Sequence, residues 1–323
     1  MSIDHCLTLK EAATRIRAME QHVNHSPLAA LQGLSQTQRE RLAFIEFRLY
    51  FLGDVSRADV MTRFGLAPAG ATRDFALYKE LLPANLRLDG ATKTYVITDS
   101  FVPAFEHSVE RVLTALSQGF GDGLGPATGP LISCEVPASL NRPRLDVLAP
   151  VTRAIHRKNP VRITYTSTSS GTTERTIVPF AMVTDGLRWH VRAYDRNRQR
   201  FLDFVISRID QAIELTDDKV EGHECSSQDI QWNRIVELEL VPHPGKKYPE
   251  IAEKDYGMQD GMLRLKARAA MVGYILRHWH VDCSTNHELA DKAFRLWLRD
   301  PLVLYGVETA ELAPGYKAPS RTQ

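Results

Sequence analysis

Apolar residues recur at helical spacing through the first third of the chain and at alternating positions through its middle. From Gln38 to Leu52, residues Leu42, Ile45, Phe47, Leu49 and Leu52 mostly follow a helical period, and Gly53 ends the run. Ser56 reads as an N-cap, with Asp59 three residues on imitating a capping box. Ala58, Val60, Met61 and Phe64 give the short helix that follows a buried stripe, closed by Gly65. A third helix is predicted from about Thr72 to Leu82, before Pro83, with Phe75, Ala76 and Leu82 inward. That leaves Thr72, Arg73, Tyr78 and Lys79 outside. From Leu86 to Ile97 alternating residues flank Asp89-Gly90, a β-hairpin signal.

Three helices and then a hairpin is the order of a winged helix-turn-helix. Such a unit lays a helix in the major groove and its wing on the backbone. The expected DNA contacts are Arg57, Thr72, Arg73, Tyr78 and Lys79 on the helices, with Lys93 and Thr94 in the wing. The pattern alone leaves a second reading open, a helical bundle whose Arg73 and Lys79 only decorate a solvated face.

Gly and Pro dominate the stretch from Gly119 to Pro130, which cannot hold a regular element. Beyond it, short strands are predicted. Val161 to Thr166 is followed by a turn at Ser169-Ser170-Gly171, and then by Glu174 to Phe180. In Leu187 to Tyr194, residues Leu187, Trp189, Val191 and Ala193 fall on one face, the core face. Arg188, His190, Arg192 and Tyr194 fall on the other, which is left to meet water or a ligand. Phe201 to Ile209 returns. Strands of this spacing predict a small, partly open barrel. After a polar stretch from Thr216 to Gln228, a strand over Ile235–His243 is predicted. Helices near 248–256, 271–280 and 288–298 and a strand at 262–269 complete a small α/β unit.

At 323 residues the chain is long enough for two or three domains, and 43% hydrophobic with 24% charged residues is a globular balance. The expected division is 1–118 (helices and winged helix), 119–145 (linker), 146–218 (barrel) and 230–312 (α/β extension). No apolar run approaches a membrane span and the first ten residues lack a signal-peptide core, so a cytoplasmic protein is expected. Four dispersed cysteines without a CxxC pair agree with reduced thiols. The net charge of +1 makes any nucleic-acid footprint local. Residues 150–215 hold 11 Lys and Arg against 6 Asp and Glu, and arginine forks suit planar anions. His278, His280, Cys283 and His287 cluster, but their spacing fits no common zinc motif, and neither metal nor cofactor is expected. There is no P-loop, GxGxxG, HExxH or GxSxG, so an enzyme is not expected.

The Trp189-His190-Val191 segment resembles the WYL domain. Other family marks are Tyr165, Arg175, Pro179, Phe204 and Ser207-Arg208-Ile209. His190 and Val191 depart from the namesake Tyr and Leu, and Val205 stands where many members carry Arg. The run Trp189–Tyr194 and the C-terminal Leu238–His243 are similar to the BrxR/CapW group of repressors, encoded beside bacterial anti-phage systems. The resemblance implies an α+β, multidomain chain: winged helix-turn-helix, Sm/SH3-like β-barrel and C-terminal extension domain. It implies that Tyr165, His190, Arg192, Ser207 and Arg208 line an effector pocket, to which the alternation adds Arg188 and Tyr194. The expected partners are double-stranded operator DNA, a second copy of the chain, and an anionic effector such as a nucleotide or single strand. An activator with the same parts, or a nucleic-acid-binding regulator of a partner enzyme, are the alternatives.

Overall fold

The computed structural model describes residues 31, 33–120 and 129–318, and the chain divides into two compact units, 1–136 and 137–323. Most of the Gly/Pro seam, 121–128, lies outside the described residues.

The first unit opens with α1 (Gln36–Leu52), started by a capping box between Ser35 and Gln38 and stopped by left-handed Gly53 at φ 86°. After β1 (Asp54–Val55), α2 (Arg57–Phe64) repeats the device, with Ser56 and Asp59 at its start and Gly65 at its end. α3 (Pro68–Leu81) begins one turn earlier than the sequence predicts, because proline is well tolerated in a helix's first turn. Leu42, Ile45 and Leu49 of α1 pack with Val60, Ala71, Phe75 and Tyr78 in one core. Ala58 and Ala76, expected inside, are exposed. β2 (Leu86–Leu88) and β3 (Tyr95–Ile97) form the hairpin, and β1 adds to it in the order β1-β3-β2. Asp89-Gly90 is not a two-residue turn. Residues 89–94 form a longer loop, closed by bonds from Asp89 N–H to the Thr94 carbonyl and from Lys93 N–H to the Asp89 carbonyl. α4 (Val109–Gln118) follows.

In the second unit, α5 (Leu145–Arg157) covers an antiparallel sheet of β4 (Val161–Ser167), β5 (Gly171–Thr184), β6 (Trp189–Asp195), β7 (Arg200–Val205) and β8 (Ile209–Glu214). Val147, Val151 and Ala154 of the helix meet Ile163, Ile177, Val191 and Phe204 of the sheet. The strand order is β7-β6-β5-β4-β8, with β7 and β8 joined by a 3₁₀ turn over Ile206–Arg208. Among the described residues no ladder closes β7 onto β8, so a closed barrel is not found.

The chain continues through short α6 (Ile230–Asn233), β9 (Ile235–Pro242), α7 (Pro249–Asp255), β10 (Leu263–Arg268), α8 (Ala269–His278), β11 (Val281–Asp282) and β12 (Leu296–Leu298). Their sheet runs β10-β9-β12-β11, with Leu238, Leu240, Leu276, Leu296 and Leu298 in its core. The helix expected over 288–298 is absent. Leu296 and Leu298 instead alternate inward on a strand paired with β9. Gly273 is required where α8 meets the 3₁₀ turn Glu308–Leu312, since a Cβ there would lie 1.7 Å from the Thr309 carbonyl oxygen. Among the described residues no helix is long and apolar enough to cross a membrane, and no cluster of His, Cys, Asp or Glu is placed to hold a metal.

Candidate nucleic-acid interface and ligand cleft

α3 presents Thr72 and Lys79, two turns apart on one exposed face, with Arg73 beside them. The Thr72 hydroxyl and Arg73 Nε donate to the carbonyls of Pro68 and Ala69, at 3.0 and 3.3 Å. Arg57 is exposed in the first turn of α2, and Lys93 is exposed in the wing loop. Thr94 is half-buried, its hydroxyl 2.6 Å from that of Thr92.

Tyr78 is not on this surface. It is fully buried, its hydroxyl donating to Glu46 at 3.1 Å and accepting from Asn85 at 3.2 Å. Burial pushes its pKa strongly up, and the Asn85 bond opposes this only in part. Glu46, itself fully buried, also accepts the backbone N–H groups of Ala104 and Phe105, at 3.0 and 2.8 Å. Tyr78 and Glu46 therefore tie α3 and the segment after the wing to α1. The spacing of Ala71, Asp74, Phe75 and Tyr78, all buried, carried that signal in the sequence.

β6 also differs from the sequence pattern. Leu187 and Trp189 are 71% and 46% exposed, whereas Val191 and Ala193 are in the core. The strand starts late because Asp185 holds a turn, its Oδ1 accepting the N–H groups of Leu187 and Arg188 at 2.9 and 2.6 Å. On the opposite face His190, Arg192 and Tyr194 are buried rather than solvated. Arg192 is gripped by carboxylates, Nε donating to Asp229 at 2.8 Å and Nη1 to Asp203 at 3.2 Å. Burial disfavours its charge, but the two carboxylates outweigh this and hold it cationic. Tyr274 of α8 donates to Asp203 at 3.1 Å, and Arg188 and Arg277 share Asp185.

These groups surround a cleft of about 390 Å³ between the five-stranded sheet and the C-terminal elements. Tyr165, Arg188, His190, Arg192 and Arg208 line it. Tyr194 and Ser207 do not: Tyr194 packs edge-on against Phe201 and His223, and the Ser207 hydroxyl accepts from Asn141 at 2.7 Å. The sequence reading missed Arg200, Asp203, Tyr274, Arg277, Glu308 and Glu311 in the lining. Several come from segments some 110 to 145 residues beyond Tyr165 of the first strand, so no local pattern connects them. His190 stacks at a tilt on Tyr274, 5.3 Å between centroids. Burial lowers its pKa, with Asp185 and Asp203 opposing, so the ring is neutral at neutral pH.

Three family models match in chain order. They are the BrxR transcriptional regulator winged helix-turn-helix domain over 37–118, the WYL domain over 146–214, and the BrxR transcriptional regulator C-terminal dimerization domain over 235–304. The DNA-binding transcriptional repressor CapW of Escherichia coli (strain KTE188) is 32% identical over 287 residues, covering 85% of this chain and 93% of the relative. The chain belongs to the BrxR/CapW family of transcriptional regulators. CapW of Stenotrophomonas maltophilia is 33% identical, covering 76% of this chain and 84% of the relative. CapW of Pseudomonas aeruginosa is 32% identical, covering 81% and 87%. Among solved structures, proteasome accessory factor B/C (PafBC) of Arthrobacter aurescens matches at 18% identity and a TM-score of 0.27, over 74% of this chain and 43% of that one.

Proposed function

We propose that the chain is a homodimeric, sequence-specific DNA-binding repressor of an anti-phage defence operon, released when an anionic effector occupies the cleft. Its relatives are DNA-binding repressors, regulators rather than enzymes. The observation that carries the effector reading is the position of the cleft. One wall is the sheet matched by the WYL model, and the other is α8 and the 3₁₀ turn that packs on it. α8 lies within the residues matched by the dimerization model. A ligand that fits the two walls differently in two arrangements shifts their equilibrium by its difference in affinity. Two recognition helices held at a fixed spacing read a pseudo-palindromic site, so a change in dimer geometry lowers operator affinity.

Arg73, Lys79 and Arg57 are the proposed groove and backbone contacts of the helices, and Lys93 and Thr94 those of the wing. In the cleft, Arg208, Arg188 and His190 face the effector, with Tyr165 beside them. Arg192 acts by holding Asp203 and Asp229 rather than by contact. A reporter driven by the chain's own upstream region tests the proposal. Deleting the gene should raise expression, and Arg208→Ala should keep the reporter silent under conditions that release the wild type. Expression that falls on deletion identifies an activator, and an Arg208→Ala protein released like wild type removes the cleft from the mechanism.

A further inference from the structure

The cleft contains more polar groups than its internal pairing uses. Arg188, Arg192 and Arg277 are neutralised by Asp185, Asp203 and Asp229. Among the described residues, Arg200 and Arg208 have no carboxylate at ion-pair distance, and Glu308 and Glu311 have no cation. Two free charges of each sign thus line one cavity without joining each other. Glu308 and Glu311 lie three apart on a 3₁₀ turn, where side chains at that spacing eclipse, so both carboxylates leave the same side. A third group is also unspent. His190 is 3% exposed, lines the cleft, and keeps a buried Nδ1 with no hydrogen-bond partner.

A purely anionic ligand fits this lining poorly, since it would face two carboxylates. The ligand needs an anionic end for the arginines and a donor-bearing end for the glutamates, with a flat body between. Tyr274, Phe201 and His190 supply ring surface for that body, and about 390 Å³ is within the range of small-ligand sites. A carboxylate only accepts hydrogen bonds. Guanine carries two N–H donors side by side on its Watson–Crick edge, matching the two oxygens of one carboxylate. Adenine and cytosine set a ring lone pair beside their amino group, and uracil and thymine flank their single N–H with carbonyls. Each of those turns an acceptor toward the carboxylate.

We propose that the cleft selects a guanine nucleotide, its phosphate on Arg208 and Arg200 and its base edge on Glu308 or Glu311. This rests on the reading of the cleft as the effector site, and adds which base it takes. The unsatisfied Nδ1 of His190 is completed by the ligand's sugar or phosphate.

Calorimetric titration of the full-length protein tests this, with 5′-GMP, 5′-AMP, 5′-CMP and 5′-UMP as probes. Two short single strands complete the set, one all-adenine and one carrying a single guanine. Wild type should bind GMP roughly tenfold more tightly than the other mononucleotides, the scale of one bidentate base contact. Glu308→Gln with Glu311→Gln should bring all four within about twofold while binding persists, and both positions are exposed, so the fold tolerates the change. Arg208→Ala should weaken all four alike. Comparing GMP with the guanine-bearing strand tells a free nucleotide from a strand as the source, and either result supports guanine. Equal binding of the four by wild type, or selectivity that survives the double substitution, overturns the base assignment and leaves the effector site standing. Failure of every probe to bind overturns both.

Discussion

Replacing Arg192 with alanine should destabilise the second unit by about 3–4 kcal/mol, although the sequence pattern placed this residue on a row open to water or ligand. Its side chain is 4% exposed and lies between Asp229, at 2%, and Asp203, at 8%. Removing the guanidinium leaves two buried carboxylates without their cation, and losing one partner of a buried pair costs about 3–5 kcal/mol. Each carboxylate keeps one donor, Trp232 N–H on Asp229 and the Tyr274 hydroxyl on Asp203, which sets the cost toward the low end. The lost methylenes of the arginine stem add to it. Urea unfolding followed by far-ultraviolet circular dichroism reads the change as a lower midpoint at unchanged slope. Arg192→Met combined with Asp203→Asn and Asp229→Asn removes all three charges and keeps the volume, and should recover all but about 1 kcal/mol. Asparagine at 229 still caps α6. A loss below about 1 kcal/mol in Arg192→Ala, or a triple variant no better than the single, would refute this account of the pair.

Arg73→Ala should weaken operator binding by about 1–3 kcal/mol with little effect on random duplex, whereas Lys93→Ala should weaken both and reduce the salt slope by about one, as fluorescence anisotropy at several salt concentrations would show. Tyr78→Phe should lower stability by about 1–2 kcal/mol through the lost bond to buried Glu46, while the folded protein keeps its DNA affinity. His190 should make stability fall on acidification. Unfolded, it takes a proton near its ordinary pKa of 6.5, and folded it resists until lower pH. The unfolded state therefore binds more protons as pH falls through that value, and this contribution is lost from there down to the folded pKa. His190→Gln should remove that part of the slope in unfolding measured from neutral to acidic pH.

The parts of the fold set by local chemistry were legible in the sequence. The Ser56–Asp59 capping box and the glycines at 53 and 65 each end or begin a helix where expected, because a cap is made by residues within one turn. Tyr78 lies inside rather than outside, because the partner that satisfies its hydroxyl, Glu46, is 32 residues away and no local pattern shows it. The strand over 187–194 starts later than the alternation suggests because the Asp185 turn keeps Leu187 outside the pleat and leaves Trp189, the first strand residue, exposed. Its polar face was read as open because the covering carboxylates and rings, Asp229 and Tyr274, lie in another part of the chain. The cleft is assembled by tertiary packing alone. Alternation could nominate His190, but neither Glu308 nor Glu311 stands in any pattern that points to it.

The proposed repressor reads a DNA sequence as a dimer. Titrating full-length protein against duplex from its own upstream region and against a shuffled duplex of equal length, at one stated salt concentration near physiological, measures it directly. A preference of about a thousandfold or more is expected, with protection of two half-sites whose centres lie a whole number of helical turns apart. Equal affinity for the two duplexes, or protection of a single half-site by a monomer, would contradict it.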